Sequence, residues 1–380
     1  MTKVLASYRD PELGKKILAQ VEQWADRACH RLGRWPVIME VCGTHTVTIS
    51  RLGLRSLLRE KVILKSGPGC PVCVTDYGDI DRAIALARLP GVTIATFGDM
   101  MRVPGSHGSL EEVRGWGGRV EVFYSPESAV DFAHCHPETQ VVFLAVGFET
   151  TVPAIGLAIE KAQALQLGNF YIFSLHKLVP PVMRALLTDK EVMVDGYLLP
   201  GHVSTVIGSN AFRFIGTEFG VPAVVAGFEL VDILLSLAKL LRLIAEGRPQ
   251  VLNGYSRLVR EQGNPRAQAL IERYFEPSLA SWRGLGNIEA SGLKLRLAYR
   301  ELDAGLHFPL EVPTPRIPAG CACGEVLKGK VFPQQCQLFG RACRPERPVG
   351  PCMVSSEGAC AAYYQYEAQG AGDQWEGADE

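Results

Sequence analysis

Short apolar runs recur from residue 37 to residue 228, separated by segments of helical periodicity. They read V-I-M-E-V from Val37, V-I-L-K from Val62, V-T-I-A-T-F from Val92 and V-E-V-F-Y from Val120. They continue as V-V-F-L-A-V from Val141, F-Y-I-F-S from Phe170, G-Y-L-L-P from Gly196 and P-A-V-V-A-G-F from Pro222. The intervening stretches 80–87, 153–165 and 179–187 carry apolar positions at helical spacing. Nearly continuous apolar strands alternating with helices predict an α/β fold with mostly parallel sheets covered on both faces. Ahead of the first strand, Asp10-Pro11-Glu12 reads as a helix start, with Ile17, Val21, Trp24 and Ala28 on one face and Gly33 as its end. From Glu229 the texture changes. An amphipathic helix runs to about Ala245, more helix is expected through Tyr274, and a Pro-, Gly- and Cys-rich tail begins at Pro313. The polar end, G-A-G-D-Q-W-E-G-A-D-E, is expected to fray.

T-F-G-D-M-M-R-V-P (Thr96 to Pro104) echoes A-V-G-F-E-T-T-V-P (Ala145 to Pro153), and G-F-E recurs at Gly227. This suggests two similar lobes facing a cleft. The expected division is a first α/β lobe in residues 1–120, a second in 121–228, and a helical, Cys-rich domain in 229–380. The N-terminal helix can pack on the first lobe or on the last domain.

A chain of 380 residues with 47% hydrophobic and 21% charged residues can bury two or three cores. Its net charge of −1, with no long basic block, argues against nucleic-acid binding. The most apolar segment, 221–245, is interrupted by Glu229, Asp232, Lys239 and Arg242, which argues against a membrane span. The N-terminal residues show no apolar signal region, so a cytoplasmic protein is expected. In a reducing compartment, eleven cysteines point to metal binding or redox work before a disulfide framework. They are also clustered: none lies between Cys135 and Cys321, and six follow by Cys360.

Three of the earlier thiols stand in Gly- or Pro-rich turns directly after apolar runs: Cys42 in E-V-C-G-T-H-T, and Cys70 and Cys73 in G-P-G-C-P-V-C. In an α/β protein this is the carboxyl end of a strand, where ligands collect. Cys70-Pro-Val-Cys73 can close to a reversible disulfide, or can be half of a zinc site for which the chain offers no second C-x-x-C. Cys42 with His45 can be a nucleophile and its base, or a metal-binding thiolate beside a proton carrier. In the tail, Cys323, Cys336, Cys343 and Cys360 are separated by twelve, six and sixteen residues. Four thiols on irregular loops suit an iron–sulfur cluster, with structural zinc or inert buried thiols as alternatives. Two further cysteines, Cys321 and Cys352, leave the ligand register open on spacing alone. No phosphate-binding G-x-x-x-x-G-K-[ST] loop is present.

Taken together, E-V-C-G-T-H-T, G-P-G-C-P-V-C, G-F-E-T-T, P-G-H-V-S (Pro200 to Ser204) and G-P-C-M-V-S-S-E-G-A-C closely resemble the HypD family of hydrogenase maturation factors. The resemblance extends from about Trp35 to Tyr364, departing slightly at G-F-E-L-V-D, where G-F-E-P is the expected form. It implies a scaffold and redox protein for assembling the Fe(CN)2CO unit of NiFe hydrogenases, together with a HypC-like chaperone and a HypE-like cyanide donor. By the same resemblance Cys42 binds the iron, Cys70 and Cys73 are the redox pair, and Cys323, Cys336, Cys343 and Cys360 hold a 4Fe–4S cluster. Asp99, Glu149, Thr150, His202 and Glu357 are implied as polar cleft residues beside His45. Cys321 and Cys352, left without iron, are expected to form a relay disulfide. A stand-alone iron–sulfur thiol–disulfide oxidoreductase is the alternative.

Overall fold

The computed structural model describes residues 10–367, apart from 309, 311 and 313. The tail start at Pro313 and the polar C-terminal end therefore lie outside the described residues. The first helix, Pro11–Leu32, forms as its sequence predicts. The Asp10 carboxylate accepts from the Glu12 and Leu13 amides, and Gly33 closes the helix at φ +73°. Its buried face is Gly14, Ile17, Val21, Ala25 and Ala28. Trp24 lies at the margin of that face, stacked under Arg27 and Arg242.

Among the described residues, eleven strands form two parallel sheets and one hairpin. The first sheet has the order β2-β1-β7-β8-β9, from β1 (Val37–Glu40), β2 (Ile63–Ser66), β7 (Gly196–Pro200), β8 (Ala223–Ala226) and β9 (Val251–Asn253). The second has the order β4-β3-β5-β6, from β3 (Val92–Thr96), β4 (Arg119–Val122), β5 (Gln140–Ala145) and β6 (Phe170–Ser174). Every pairing within these sheets is parallel; β1, β3, β7 and β8 are buried along their whole length, and β5 and β6 at all but one position. The α/β class with two lobes is therefore as expected.

The strands do not divide along the chain at residues 120 and 228. β3 and β4 pair with β5 and β6, whereas β7 and β8 return to β1. The second lobe is thus inserted between β2 and β7 of the first. The echoing segments after β3 and β5 belong to neighbouring strands of one sheet, not to separate lobes. Apolar runs specify strands, but all have the same character, so they carry no information about which sheet each one joins.

The region after residue 229 is not a uniformly helical domain. Helix Leu230–Glu246 packs with the N-terminal helix against the first sheet, sharing a core of Val21, Ala25, Leu234, Leu237, Ile38 and Val224. Helix Pro265–Tyr274 is followed by an antiparallel hairpin, β10 (Phe275–Trp282) and β11 (Gly286–Leu295), with a bulge between Ser278 and Ala280. This hairpin braces both lobes: Trp282 bridges to Thr75, and Lys177 to Gly292. Trp282 is fully buried in a core that also contains Cys73, Met39 and Ile94, with its indole N–H donating to Ser291 Oγ at 2.8 Å. Among the described residues no helix is long and apolar enough to cross a membrane.

Candidate functional site

Each sheet has a point where successive connections leave in opposite directions, and ligands of open α/β sheets bind at such points. In the first sheet it falls between β1 and β7, in the second between β3 and β5. Cys42 follows β1 and His202 follows β7, while Asp99 follows β3 and Glu149 follows β5. The expected polar residues therefore occupy both switch points.

Cys42 is the N-cap of helix Gly43–Arg51, and Cys70 is the N-cap of the short helix Pro71–Val74. Their loops are fitted backbone to backbone. The Gly43 amide donates to the Gly69 carbonyl at 2.9 Å, and a Cβ on Gly69 would stand 2.3 Å from the Cys42 nitrogen. Only glycine permits this approach. Cys70 and Cys73 form a disulfide with a Cα–Cα distance of 5.2 Å, and both are buried. The tail closes over the same place. A Cβ on Gly43 would meet Glu357 Cβ at 2.5 Å, and the Thr44 hydroxyl donates to Glu357 Oε1 at 2.7 Å. The Ser355 hydroxyl donates to Asp99 Oδ2 at 2.9 Å and accepts from the Glu357 amide. Asp99, Ser355, Glu357 and Thr44 thus join the second lobe, the tail and the first lobe beside Cys42.

Burial and the nearby Glu357 and Glu40 carboxylates push the Cys42 thiol up to about 12, against opposing backbone N–H groups of His45 and Thr44. His45 is pushed down to about 4, chiefly by burial. Its Nε2 donates to the Gly227 carbonyl at 2.9 Å, leaving the buried Nδ1 without a partner among the described residues. Its ring stacks on Phe228, which also stacks on the exposed His202 ring at 3.9 Å. A thiolate–imidazolium pair at Cys42 and His45 is therefore absent at neutral pH, because burial disfavours both charges. Glu149 lies apart from the thiols. Its Oε1 accepts from the Val179 amide at 2.9 Å, Oε2 is buried without a partner among the described residues, and burial raises the carboxyl to about 7. Thr150 is exposed.

A buried network under Cys42 escaped the sequence reading. Glu40 accepts from the Cys42 amide at 3.2 Å and the Thr46 hydroxyl at 2.6 Å, and pairs with Arg55 at 3.4 Å. Arg55 also reaches Ser50, Ser66 and Glu367, and lies over the Tyr363 ring at 4.5 Å. Tyr363 and Glu367 belong to the segment carrying Cys360, so the network ties the Cys42 strand to the tail. The available signal was a carboxylate within the apolar run V-I-M-E-V.

All six tail cysteines line one narrow cavity, together with apolar side chains and no carboxylate. Cys323 and Cys352 bring their Sγ atoms to 2.7 Å, and Cys343 Sγ accepts from the Val349 amide at 3.3 Å. The expected Cys321–Cys352 pairing is not formed: both are free thiols, and the near neighbour of Cys352 is Cys323. Among the described residues, no three His, Cys, Asp or Glu side chains are preset for a metal ion. The donor set itself, soft thiols converging without competing oxygen ligands, fits iron–sulfur ligation.

The HypD family profile, described as "Hydrogenase formation hypA family", matches residues 12–367. The hydrogenase maturation factor HypD of Rhodobacter capsulatus is 45% identical over 370 residues, 96% of this chain and 98% of that protein. The HypD of Azotobacter vinelandii is 44% identical over 97% of each chain. That of Escherichia coli K12 is 43% identical over 95% of this chain and 97% of its own. By the extent and identity of these matches, the chain belongs to the HypD family of hydrogenase maturation factors.

Proposed function

We propose that this protein is the scaffold on which the Fe(CN)2CO unit of a NiFe hydrogenase is assembled. Its partners are a HypC-like chaperone and a HypE-like cyanide donor. The observation that carries the reading is the contact of Cys42 with the Cys70/Cys73 loop on one side and Glu357 of the tail on the other. Cys42 takes the iron of the substrate as a thiolate, a soft ligand suited to low-spin iron carrying cyanide and carbon monoxide. Because the free thiol is held neutral, iron binding releases its proton, and affinity rises with pH. Glu40 and the helix beginning at Gly43 fix the Cys42 backbone, and Glu357 limits access from water. The Cys70–Cys73 disulfide takes up two electrons and two protons as its S–S bond breaks to two thiols. Cys323, Cys336, Cys343 and Cys360 hold a 4Fe–4S cluster, which supplies one-electron reducing equivalents when bound. A one-electron donor protein replenishes them.

The test is anaerobic purification with the HypC-like partner, followed by metal analysis and infrared spectroscopy. Cyanide and carbonyl stretches are expected on the wild-type complex. Cys42→Ala should keep the fold, the iron–sulfur colour and the Cys70–Cys73 pair, but lose these bands. Iron without such bands in the wild type would favour a stand-alone thiol–disulfide oxidoreductase, and zinc alone would exclude both readings.

A further inference from the structure

One charged side chain lies between the two thiol sites. Arg283, at the end of β10, is 2% exposed. Its amide donates to the Val74 carbonyl at 2.9 Å and its Nε to the Thr75 carbonyl at 2.8 Å, directly after Cys73. The guanidinium carbon lies 3.6 Å from the centre of the Tyr77 ring. The next residue, Gly284, presses on the helix that begins at Cys323: a Cβ on Gly284 would stand 2.2 Å from Gly324 Cα. Arg283 therefore spans from the redox loop to the tail cysteines, yet among the described residues its buried Nη1 and Nη2 have no hydrogen-bond partner. A guanidinium stays charged when buried, and unpaired donors on it are costly. A brace for the Thr75 carbonyl needs only Nε. The outer nitrogens are left for an anionic acceptor, and the tail thiol adjoining the Gly284–Gly324 contact is Cys323.

We propose that Arg283 is a positioning residue for electron transfer: its free Nη groups donate to sulfur held at Cys323, and its fixed charge raises the reduction potential there. The inference rests on the iron–sulfur reading above. An added electron makes the thiolate-bound sulfur more negative, and a neighbouring cation in a low-dielectric interior favours that state. Arg283 itself exchanges no electron or proton.

The test uses the full chain, purified anaerobically, with dithionite as reductant. Arg283→Gln keeps a donor within reach of the backbone but removes the charge. The expected result is unchanged iron content and a midpoint potential shifted to lower values in an EPR-monitored titration. An unshifted potential in the folded variant overturns the role of Arg283 and leaves the parent reading intact. A wild-type protein without iron overturns both. Should the variant not fold, wild-type protein carrying 15N-arginine decides. Pulsed EPR of its reduced form should show a nitrogen coupling from arginine, and absence of that coupling overturns the proposal.

Discussion

At Cys42 and Cys70 the thiols cap helices that follow parallel strands, whereas the six tail cysteines stand on loops and short helices around a narrow cavity. The first region is fixed by covalent and backbone means: a disulfide, an amide–carbonyl bond from Gly43 to Gly69, and an ion pair beneath. The second has a Cys323–Cys352 sulfur contact of 2.7 Å and a backbone contact of Gly324 with Gly284, but no disulfide among its described residues. On the iron–sulfur reading proposed above, the difference is between a site closed by its own disulfide and one whose thiols await a ligand. A preformed site meets an incoming ligand at little ordering cost, whereas ligation at loops also contributes to folding.

The strongest blow to the framed site is Arg55→Met. It leaves Glu40 and Glu367 buried without their partner, and a loss of about 3–5 kcal/mol in denaturant unfolding is expected. Next comes Gly69→Ala, whose Cβ has no room beside the Cys42 backbone; overpacking of this kind costs about 3 kcal/mol. Its counterpart in the tail, Gly320→Ala, meets nothing nearer than 3.6 Å and carries only a left-handed φ of +79°, so about 1 kcal/mol is expected. Equal losses from the two glycines would erase the proposed contrast. Removing iron with a chelator under mild oxidation should expose residues 321–360 to hydrogen exchange while amides of β1 and β2 stay protected. Loss of protection in both places would show that the sites are ordered together.

Two further effects are in pH. Glu149 is raised to about 7 in the folded protein, so its stabilising share is complete below the ordinary 4.5 and is lost as pH climbs through 7. His45 is lowered to about 4, so its share is complete above 6.5 and is lost as pH falls through 4. Each slope is bounded by about 1.4 kcal/mol per pH unit. Unfolding measured against pH should flatten between 4.5 and 7 in Glu149→Gln, and between 6.5 and 4 in His45→Gln. Unchanged profiles would mean that neither group is perturbed.

Eight strands were legible because parallel strands buried on both faces leave continuous apolar runs. β9 was not, being the half-buried V-L-N. The hairpin 275–295 was also missed, since Pro277, the bulge after Ser278 and Gly292 interrupt its alternation. Cys42, Cys70 and Cys73 announced themselves through Gly and Pro in their turns. The residues supporting them did not, because their partnerships are long-range. Arg55 meets Glu367 across 312 positions, and Arg283 meets Thr75 across 208. A residue of that kind looks like any surface arginine until the fold is closed.

The insertion of one sheet within the other also sets an order of events during synthesis. β1 and β2 leave the ribosome early, but β7, the strand that flanks β1 on its other side, follows only after the whole four-stranded sheet has been made. Domains generally fold as units as the chain emerges, and long-range parallel pairing is slow. The inserted lobe can therefore be complete while Cys42, Cys70 and Cys73 are still uncovered on the nascent chain. During that interval they are open to oxidants and stray metal ions, and their exposure ends only when the hairpin and the tail close over them.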